Sequence, residues 1–475
     1  MGEGNVGWAR YRFAHVSFAH NSWVRLTKSR ILKELGYIID FSEFKARMNT
    51  QAVIPQKTGY LFAWLVWGLA ATFYFSDYLA RVAPGVMHRS LQLDFGINEA
   101  GFGILTASFY IPYIIMQMPV GLTVDRFSIR KLLTVMSLIT ALGCCVFGLA
   151  QGLFSASIGR MLIGFSAAFA FISALRLATA WFPPAMLGLL AGLTQALGML
   201  GAASGEAPVS YLVSAVGWRY SLFLMAILFI LLAGLLFLFV HDAPRGGKVV
   251  HSGASLSITQ SLKQVLFHKQ TWINALYGGF LFAPTAVIGE ALGPAYLQYG
   301  RGLSAHAAAF ATGLIFIGWG VGGPLIGYIS DRTGMRKPLM ILSAIFGLVL
   351  MSFLVYSPHL GTMEAYVLLF LFGFTNNGVA LAYAVSTELH DRSVVGTAIA
   401  FTNMFSIFIG ALLQPTVGYL IDIVAGARSF NVAALTLIDF QSGLKLLPIS
   451  ALTALILSML VKETYCHPQY DVNVK

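Results

Sequence analysis

Charge is what this sequence has least of. Only 10% of its 475 residues are Asp, Glu, Lys or Arg, against about 25% in soluble domains, which is too few to cover a surface facing water. Hydrocarbon must be the main solvent, and there only helices or a closed barrel satisfy the backbone. The alternating apolar and polar residues of barrel strands are also missing, because the apolar runs are long and continuous. Cysteine is scarce. Cys144 and Cys145 sit inside one apolar run and Cys466 lies near the end of the chain, so there is no disulfide framework. No G-x-x-x-x-G-K-[ST] loop occurs to cradle a phosphate, which excludes ATP hydrolysis by this chain. No H-E-x-x-H or paired C-x-x-C spacing occurs either, so neither a metal nor a cofactor is expected, and an enzyme is not the expected class. A cleavable leader is not expected ahead of the first apolar run, which would itself direct insertion.

What the sequence has is apolar length: 57% of its residues are apolar and the mean hydropathy is +0.75. With about 20 apolar residues needed per crossing, the first half reads as spans over 59–87, 101–120, 132–152, 154–182, 187–216 and 221–240. The second half reads as spans over 271–299, 305–330, 338–356, 362–389, 394–424 and 441–461. The expected fold class is an all-α integral membrane protein, twelve transmembrane helices in two six-helix halves (58–240 and 271–461). A basic arm (1–57) precedes them, a central loop (241–270) separates them and a short tail (462–475) follows. Within the central loop, which holds Arg245, Lys248, Lys263 and Lys269, residues 255–268 can form a surface helix. For the arm two readings stay open: a cytoplasmic interaction segment, or a polar stretch ahead of a translation start at Met48.

The net charge of +11 does not point to nucleic acid. The basic residues collect in the arm, the loop ending at Lys131, the central loop, the loop ending at Lys337 and the tail with Lys462, which fall on one side of the expected topology. The opposite loops carry Arg89, Arg219, Arg301 and Arg428. This asymmetry places both termini in the cytoplasm.

Two stretches repeat in register. Gly121, the pair Asp125–Arg126, the pair Arg130–Lys131 and Leu133 recur as Gly327, Asp331–Arg332, Arg336–Lys337 and Leu339, an offset of 206 residues (327 − 121). Each lies between the second and third span of its half. The pattern resembles the signature loop of the major facilitator superfamily, G-x-x-x-D-R-x-G-R-[RK], with Ser128 in the first copy where the second has Gly334. The repeat continues with Gly164 and Gly373, with Thr194–Gln195 and Thr402–Asn403, and with Pro84 and Pro294. The glycines Gly121 and Gly327 are expected to allow close helix approach at a tight turn, and Asp125 and Asp331 to cap a neighbouring helix N-terminus. The resemblance implies that Gly121, Asp125, Arg126, Arg130, Gly327, Asp331, Arg332 and Arg336 form a conformational latch, closed when the cavity opens outward, and not a substrate site. Duplicated halves place the substrate site at their interface, near mid-membrane.

Ionisable residues inside spans are costly and mark function by default. Asp77 and Arg81 are four apart on one face of the first span and can pair. Arg176 lies near the cytoplasmic end of the fourth span, where it can neutralise Asp125 or snorkel. Glu206 precedes Ala207–Pro208, where a broken helix would leave it in an outer vestibule. Glu290, on the seventh span, has no basic residue within a turn and needs a remote partner or a proton. Aligning Pro84 with Pro294 puts Arg81 at Ala291, one residue from Glu290, so the two charges should face each other across the cavity. Tyr110, Tyr113, Gln117, Asn376, Asn377 and Asn403 are candidate polar lining, with interhelical glue as the alternative for the amides. Arg160 opens an R-x-x-x-G pattern ending at Gly164, similar to the family's motif on the fourth span.

The aromatic-rich first span, the Trp181–Pro183 stretch and the acidic residue of the seventh are similar to bacterial relatives of the lysosomal dipeptide transporter of major-facilitator type. The fifth span, around Gly198 to Glu206, lacks the arginine associated with dipeptide binding there. The expected function is a proton-coupled secondary transporter of a small polar organic solute (zwitterion, short peptide or organic anion) in a bacterial inner membrane. A siderophore or other metabolite transporter of the same fold, or a nutrient sensor that does not transport, are the alternatives. Expected partners are the substrate, protons and the bilayer, with no nucleic acid, and the expected form is a monomer.

Overall fold

The computed structural model describes residues 57–183, 186–243, 258–391 and 394–469, and among these every regular element is helical. Residues 1–56, 244–257 (with Arg245 and Lys248) and 470–475 lie outside the described residues, as does the Asp125 side chain, so the arm, the Met48 start and the latch role of Asp125 meet no geometry. Leu61–Lys475 forms one compact unit.

The helical segments are α1 (Lys57–Val82), α2 (Glu99–Gln117, continuing to Arg126), α3 (Ile129–Gly148), α4 (Leu153–Trp181), α5 (Leu187–Val216), α6 (Trp218–Phe239), α7 (Lys269–Gly300), α8 (Ala305–Thr333), α9 (Lys337–Tyr356), α10 (Thr362–Leu389), α11 (Val395–Phe430) and α12 (Leu437–Leu460). Eleven of them, α2 to α12, are long and apolar enough to cross a membrane. The 26 residues of α1 rise about 39 Å at 1.5 Å each, which is also sufficient length. A shorter helix, Ile258–Leu266, occupies the central loop, inside the expected 255–268.

Several spans are interrupted where the sequence pattern looked continuous. α1 ends at Val82 and continues as a 3-10 turn, Ala83–Met87, because Pro84 has no N–H to give the preceding turn. α4 breaks between Ala167 and Ala170, and α10 between Thr375 and Gly378. These breaks follow the repeated glycines. A Cβ on Gly164 would collide with the Phe109 carbonyl oxygen, and one on Gly373 with the Ile315 carbonyl oxygen, so α4 lies backbone to backbone on α2, and α10 likewise on α8. α7 winds into a π-helix over Thr285–Leu292. The break expected at Ala207–Pro208 is absent: α5 runs unbroken with Pro208 inside it. Proline removes one donor only, a loss that a packed membrane helix tolerates, and Glu206 is fully buried, with no outer vestibule around it.

Among the described residues, the loops expected to share one side do share one end. There the Arg130 amide donates to Asp242 at 2.9 Å, and the Arg336 and Lys337 amides donate to Glu463, each at 2.9 Å. The other end, here called distal, holds the remaining loops. Two of its basic residues close helix C-termini, which explains their place among sparse charge. Arg219 donates to the carbonyls of Gly148 (2.9 Å) and Ala150 (2.7 Å) after α3, and Arg301 to those of Leu354 (2.7 Å) and Ser357 (2.6 Å) after α9. Both satisfy orphan carbonyls at the negative end of the helix dipole.

Hydrogen bonds join the halves at the distal end. The Glu99 and Ala100 amides of α2 donate to Asp422 of α11 at 3.1 and 3.0 Å. Gln92 donates to the Ser429 carbonyl at 3.2 Å and accepts from the Val432 amide at 2.7 Å. At the signature-loop end, Arg126, Asp331 and Arg332 are exposed. Gly121 and Gly327 face open space, with nothing within 4 Å of an added Cβ. The close approach expected of these two glycines is therefore absent: they lie inside helices, and nothing packs against them. The turn itself is made by Gly334, at φ +66°, and in the first copy by Ser128, whose side chain caps α3 at the Lys131 amide.

Candidate functional site

α1 places Arg81 one residue before its last, and the Pro84-centred 3-10 turn that follows brings the chain against α7. A Cβ on Gly85 would stand 3.2 Å from the Ala291 carbonyl oxygen. This contact sets the register between the first spans of the two halves. Arg81 Nη2 lies 3.2 Å from Glu290 Oε1, both side chains almost wholly buried at 3% and 2% exposure. The expected Asp77–Arg81 pair is not formed within 4 Å, since the guanidinium turns to Glu290 and the Asp77 Oδ1 has no partner. Only one contact joins Arg81 to Glu290, and Arg81 Nε and Glu290 Oε2 have no hydrogen-bond partner.

Aromatic rings surround the guanidinium. Its carbon is 5.0 Å from the ring centres of Tyr78 and Tyr110, 5.4 Å from that of Phe109 and 5.7 Å from that of Tyr113. Such faces attract a cation and exclude water from it. Arg160 of α4 holds the arrangement from behind. It donates to the carbonyls of Ala80 and Arg81, each at 3.1 Å, and lies 3.5 Å from that of Thr106. The end of α1 frees these carbonyls, so Arg160 positions Arg81 through its backbone.

One layer toward the signature loops, Asn403 of α11 donates to Gln117 of α2 at 2.7 Å, and Tyr383 donates to Asn403 at 2.9 Å. The same pairing recurs in the first half, where Tyr74 donates to Gln195 at 3.2 Å. These polar groups from both halves continue the Arg81 site. Asn376 and Asn377 do not join it. Asn376 donates to the Leu281 carbonyl and the Thr285 hydroxyl, both at 3.1 Å, fastening α10 to the start of the π-helix. Asn377 donates to the carbonyls of Gly373 (3.0 Å) and Phe374 (3.1 Å) beside the α10 break. Arg176 is half-buried and donates to Thr179 at 3.4 Å, away from the cluster. Glu206 is buried beside Gly85 and Gly313.

Sequence reasoning passed over Tyr78, Phe109 and Trp319. Tyr78 and Trp319 pack against the same buried cluster of Val82, Met199, Ala202 and Phe316, and the indole Nε1 of Trp319 has no partner. Tyr78 sits one residue after Asp77 and three before Arg81, a helical spacing that marks it as a neighbour. Trp319 has no local signal. In the second signature copy Arg336 bonds Asp331 at 2.7 Å and Glu388 at 2.8 Å, all within one half. The N-terminus of α9 is capped by Glu463, where Asp331 was expected. Asp331 stays exposed, its partner being Arg336 of the same loop.

Comparison with known proteins agrees with this architecture. The family model described as Major Facilitator Superfamily matches residues 58–415. A "probable sulfoacetate transporter" of Cupriavidus necator is 27% identical over 287 residues, 57% of this chain and 66% of that protein. A "probable galactarate/D-glucarate transporter" of Escherichia coli is 24% identical over 392 residues, 75% of this chain and 86% of its own length. Among solved structures, a bacterial homologue of the human lysosomal transporter Spinster, inward-facing and unoccupied, superposes with a TM-score of 0.66 at 15% identity, covering 84% of this chain and 97% of that one.

Proposed function

Because the chain belongs to the Major Facilitator Superfamily, and so is a multi-pass secondary transporter and not an enzyme, we propose that its cargo is a small organic anion moved together with protons. One observation carries this reading: a buried guanidinium at the junction of the halves, walled by aromatic rings and held by a single carboxylate contact. A carboxylate or sulfonate entering from the cavity competes with Glu290 for Arg81, which offers a planar fork suited to such groups. Trp319 Nε1 and the Tyr113 hydroxyl supply neutral donors for the rest of the solute. At an effective dielectric of about 20 and a spacing of roughly 4 Å, the pair attracts by about 4 kcal/mol before desolvation, so an anion must match Glu290 to displace it. Once displaced, Glu290 is a buried carboxylate without a partner, a condition that costs about 3–5 kcal/mol and that a proton relieves. Anion and proton then travel together, and rocking of the halves exposes them to the other side.

The relatives are named as probable transporters of sulfoacetate and of galactarate/D-glucarate, which favours acids over the dipeptides suggested by the first and seventh spans. The grouping of basic loops at the signature-loop end supports placing that end in the cytoplasm of a bacterial inner membrane. The test is uptake by proteoliposomes of a panel of hydroxy-acids, sugar acids, sulfonates, dipeptides and nucleosides, with and without an inward pH gradient. Acids should be accumulated, and Arg81→Lys should lose at least about tenfold in uptake rate, the value of one charged hydrogen bond. Accumulation of a neutral solute instead, or undiminished acid uptake by Arg81→Lys, would overturn the assignment.

A further inference from the structure

Glu206 stands apart from every ion pair in the described residues. It is fully buried, and neither carboxyl oxygen has a hydrogen-bond partner. Its position is the seam between the halves on the distal side of the Arg81–Glu290 pair. Its Cβ lies 3.5 Å from the place a Cβ would occupy on Gly313 of α8, and its Oε1 lies 3.7 Å from the corresponding point on Gly85 of the 3-10 turn after α1. That same point on Gly85 is 3.2 Å from the Ala291 carbonyl oxygen of α7. Four segments, two from each half, thus enclose one carboxyl group.

The basic groups on these segments are already engaged, and the buried Asp77 of α1 is a second acid that offers Glu206 no countercharge. On α1 Arg81 pairs with Glu290 of α7 at 3.2 Å. Beyond the 3-10 turn, His88 meets Glu99 at 3.2 Å. On α8 His306 lies 3.3 Å from the Ser210 hydroxyl, one turn along α5 from Glu206, and stacks on Tyr211. None of these supplies a countercharge to Glu206. An ionised carboxylate enclosed this way bears its whole desolvation penalty with no attraction to offset it, and such a group takes a proton instead. Opening the seam between α5 and α8 would admit water and let the carboxyl ionise; closing it requires the proton back.

We propose that Glu206 is a second proton-binding site of the transporter, loaded from the distal side, whose protonation licenses closure of the distal end. It is distinct from the exchange at Glu290, which depends on substrate. The inference rests on alternating access by this fold and not on which solute is carried, so it is tested without substrate. Cysteines at Ser210→Cys and His306→Cys, in a chain whose native cysteines are replaced by serine, report the seam through a short bifunctional maleimide. The same replacement removes the imidazole nearest to Glu206.

Cross-linking in the absence of substrate should fall as the pH rises. With Glu206→Gln, which is neutral at every pH, it should stay high with complete loss of the pH dependence. Glu206→Asp keeps a carboxyl group in a changed position and should shift the midpoint. It decides the matter if the glutamine variant does not assemble. A pH dependence that survives in Glu206→Gln, an unmoved midpoint in Glu206→Asp, or cross-linking of the parent that ignores pH would each overturn the proposal. Failure of the organic-anion reading would leave these outcomes unaffected.

Discussion

At position 290 a carboxylate and an amide differ by one proton and almost nothing in shape, which makes Glu290→Gln the direct test of the exchange proposed there. The amide removes the competitor for Arg81 and the group that takes the proton. Accumulation driven by a pH gradient should be lost, while exchange of labelled for unlabelled acid continues with tighter half-saturation. Pumping that persists in the variant would remove Glu290 from coupling. This juxtaposition was legible in the sequence, because the repeat places Pro84 over Pro294 and so Arg81 beside Glu290. The Asp77–Arg81 pairing was misjudged for a physical reason. Helical spacing of four makes a contact available, but the buried guanidinium lies against the Glu290 carboxylate of α7 at 3.2 Å. Pro208 suggests a helix break beside Glu206, whereas a packed membrane helix absorbs one missing donor and α5 runs through it. Nothing local marks Trp319 or the three carbonyls held by Arg160, since those contacts form between helices.

At the scale of elements, the two signature loops show that a repeated pattern of charges reveals place but not contact. Both copies lie at one end, as the offset of 206 residues (327 − 121) implies. Yet the carboxylates that cap α3 and α9 arrive from beyond α6 and α12, as Asp242 and Glu463, more than 100 positions away in sequence and invisible to any local spacing. Burial raises the affinity of Glu463 for a proton, but backbone N–H groups of Arg336, Tyr465, Lys337 and Thr464 outweigh that and hold its pKa below the usual value. A depressed acid stabilises the fold above its unfolded pKa, near 4.3 for glutamate, and that contribution fades as the pH falls through the lower folded value. Glu463→Gln should therefore lower stability by about 0.5–2 kcal/mol near neutral pH, the range for helix caps and dipole partners, and the deficit should shrink in acid. Thermal unfolding of the detergent-solubilised protein at pH 7 and pH 4 reads this directly. A deficit that is equal at both values would mean that the cap does not act through charge.

On the scale of the whole molecule, the segments before and after the central loop rest against each other at the distal end. That end is held by polar contacts between the halves and not by apolar packing alone. Gln92 reaches from the first half to the Ser429 carbonyl and the Val432 amide of the second, and also donates to Glu99 at 2.8 Å. Asp422 closes the N-terminus of α2 from the other side, where the helix dipole favours an anion. The bonds that cross between the halves must break when the distal end opens, so each adds to the free-energy difference between the two states without touching substrate. Truncating Gln92 to alanine leaves buried partners unsatisfied in the closed state only, at a cost of about 1–3 kcal/mol, which corresponds to a population shift of roughly 5- to 150-fold toward distal opening. Asp422→Asn keeps one acceptor oxygen and loses the charge, so its shift should have the same sign and a smaller size. Maleimide labelling of Ser210→Cys, buried in the closed seam at 8% exposure, should speed up in that order. Labelling at the parent rate in both variants would mean that the clasp holds no share of the balance and that apolar contact between α2 and α11 sets it. The same shift should slow net transport on both sides of the optimum, because a transporter biased toward either state spends fewer cycles crossing between them.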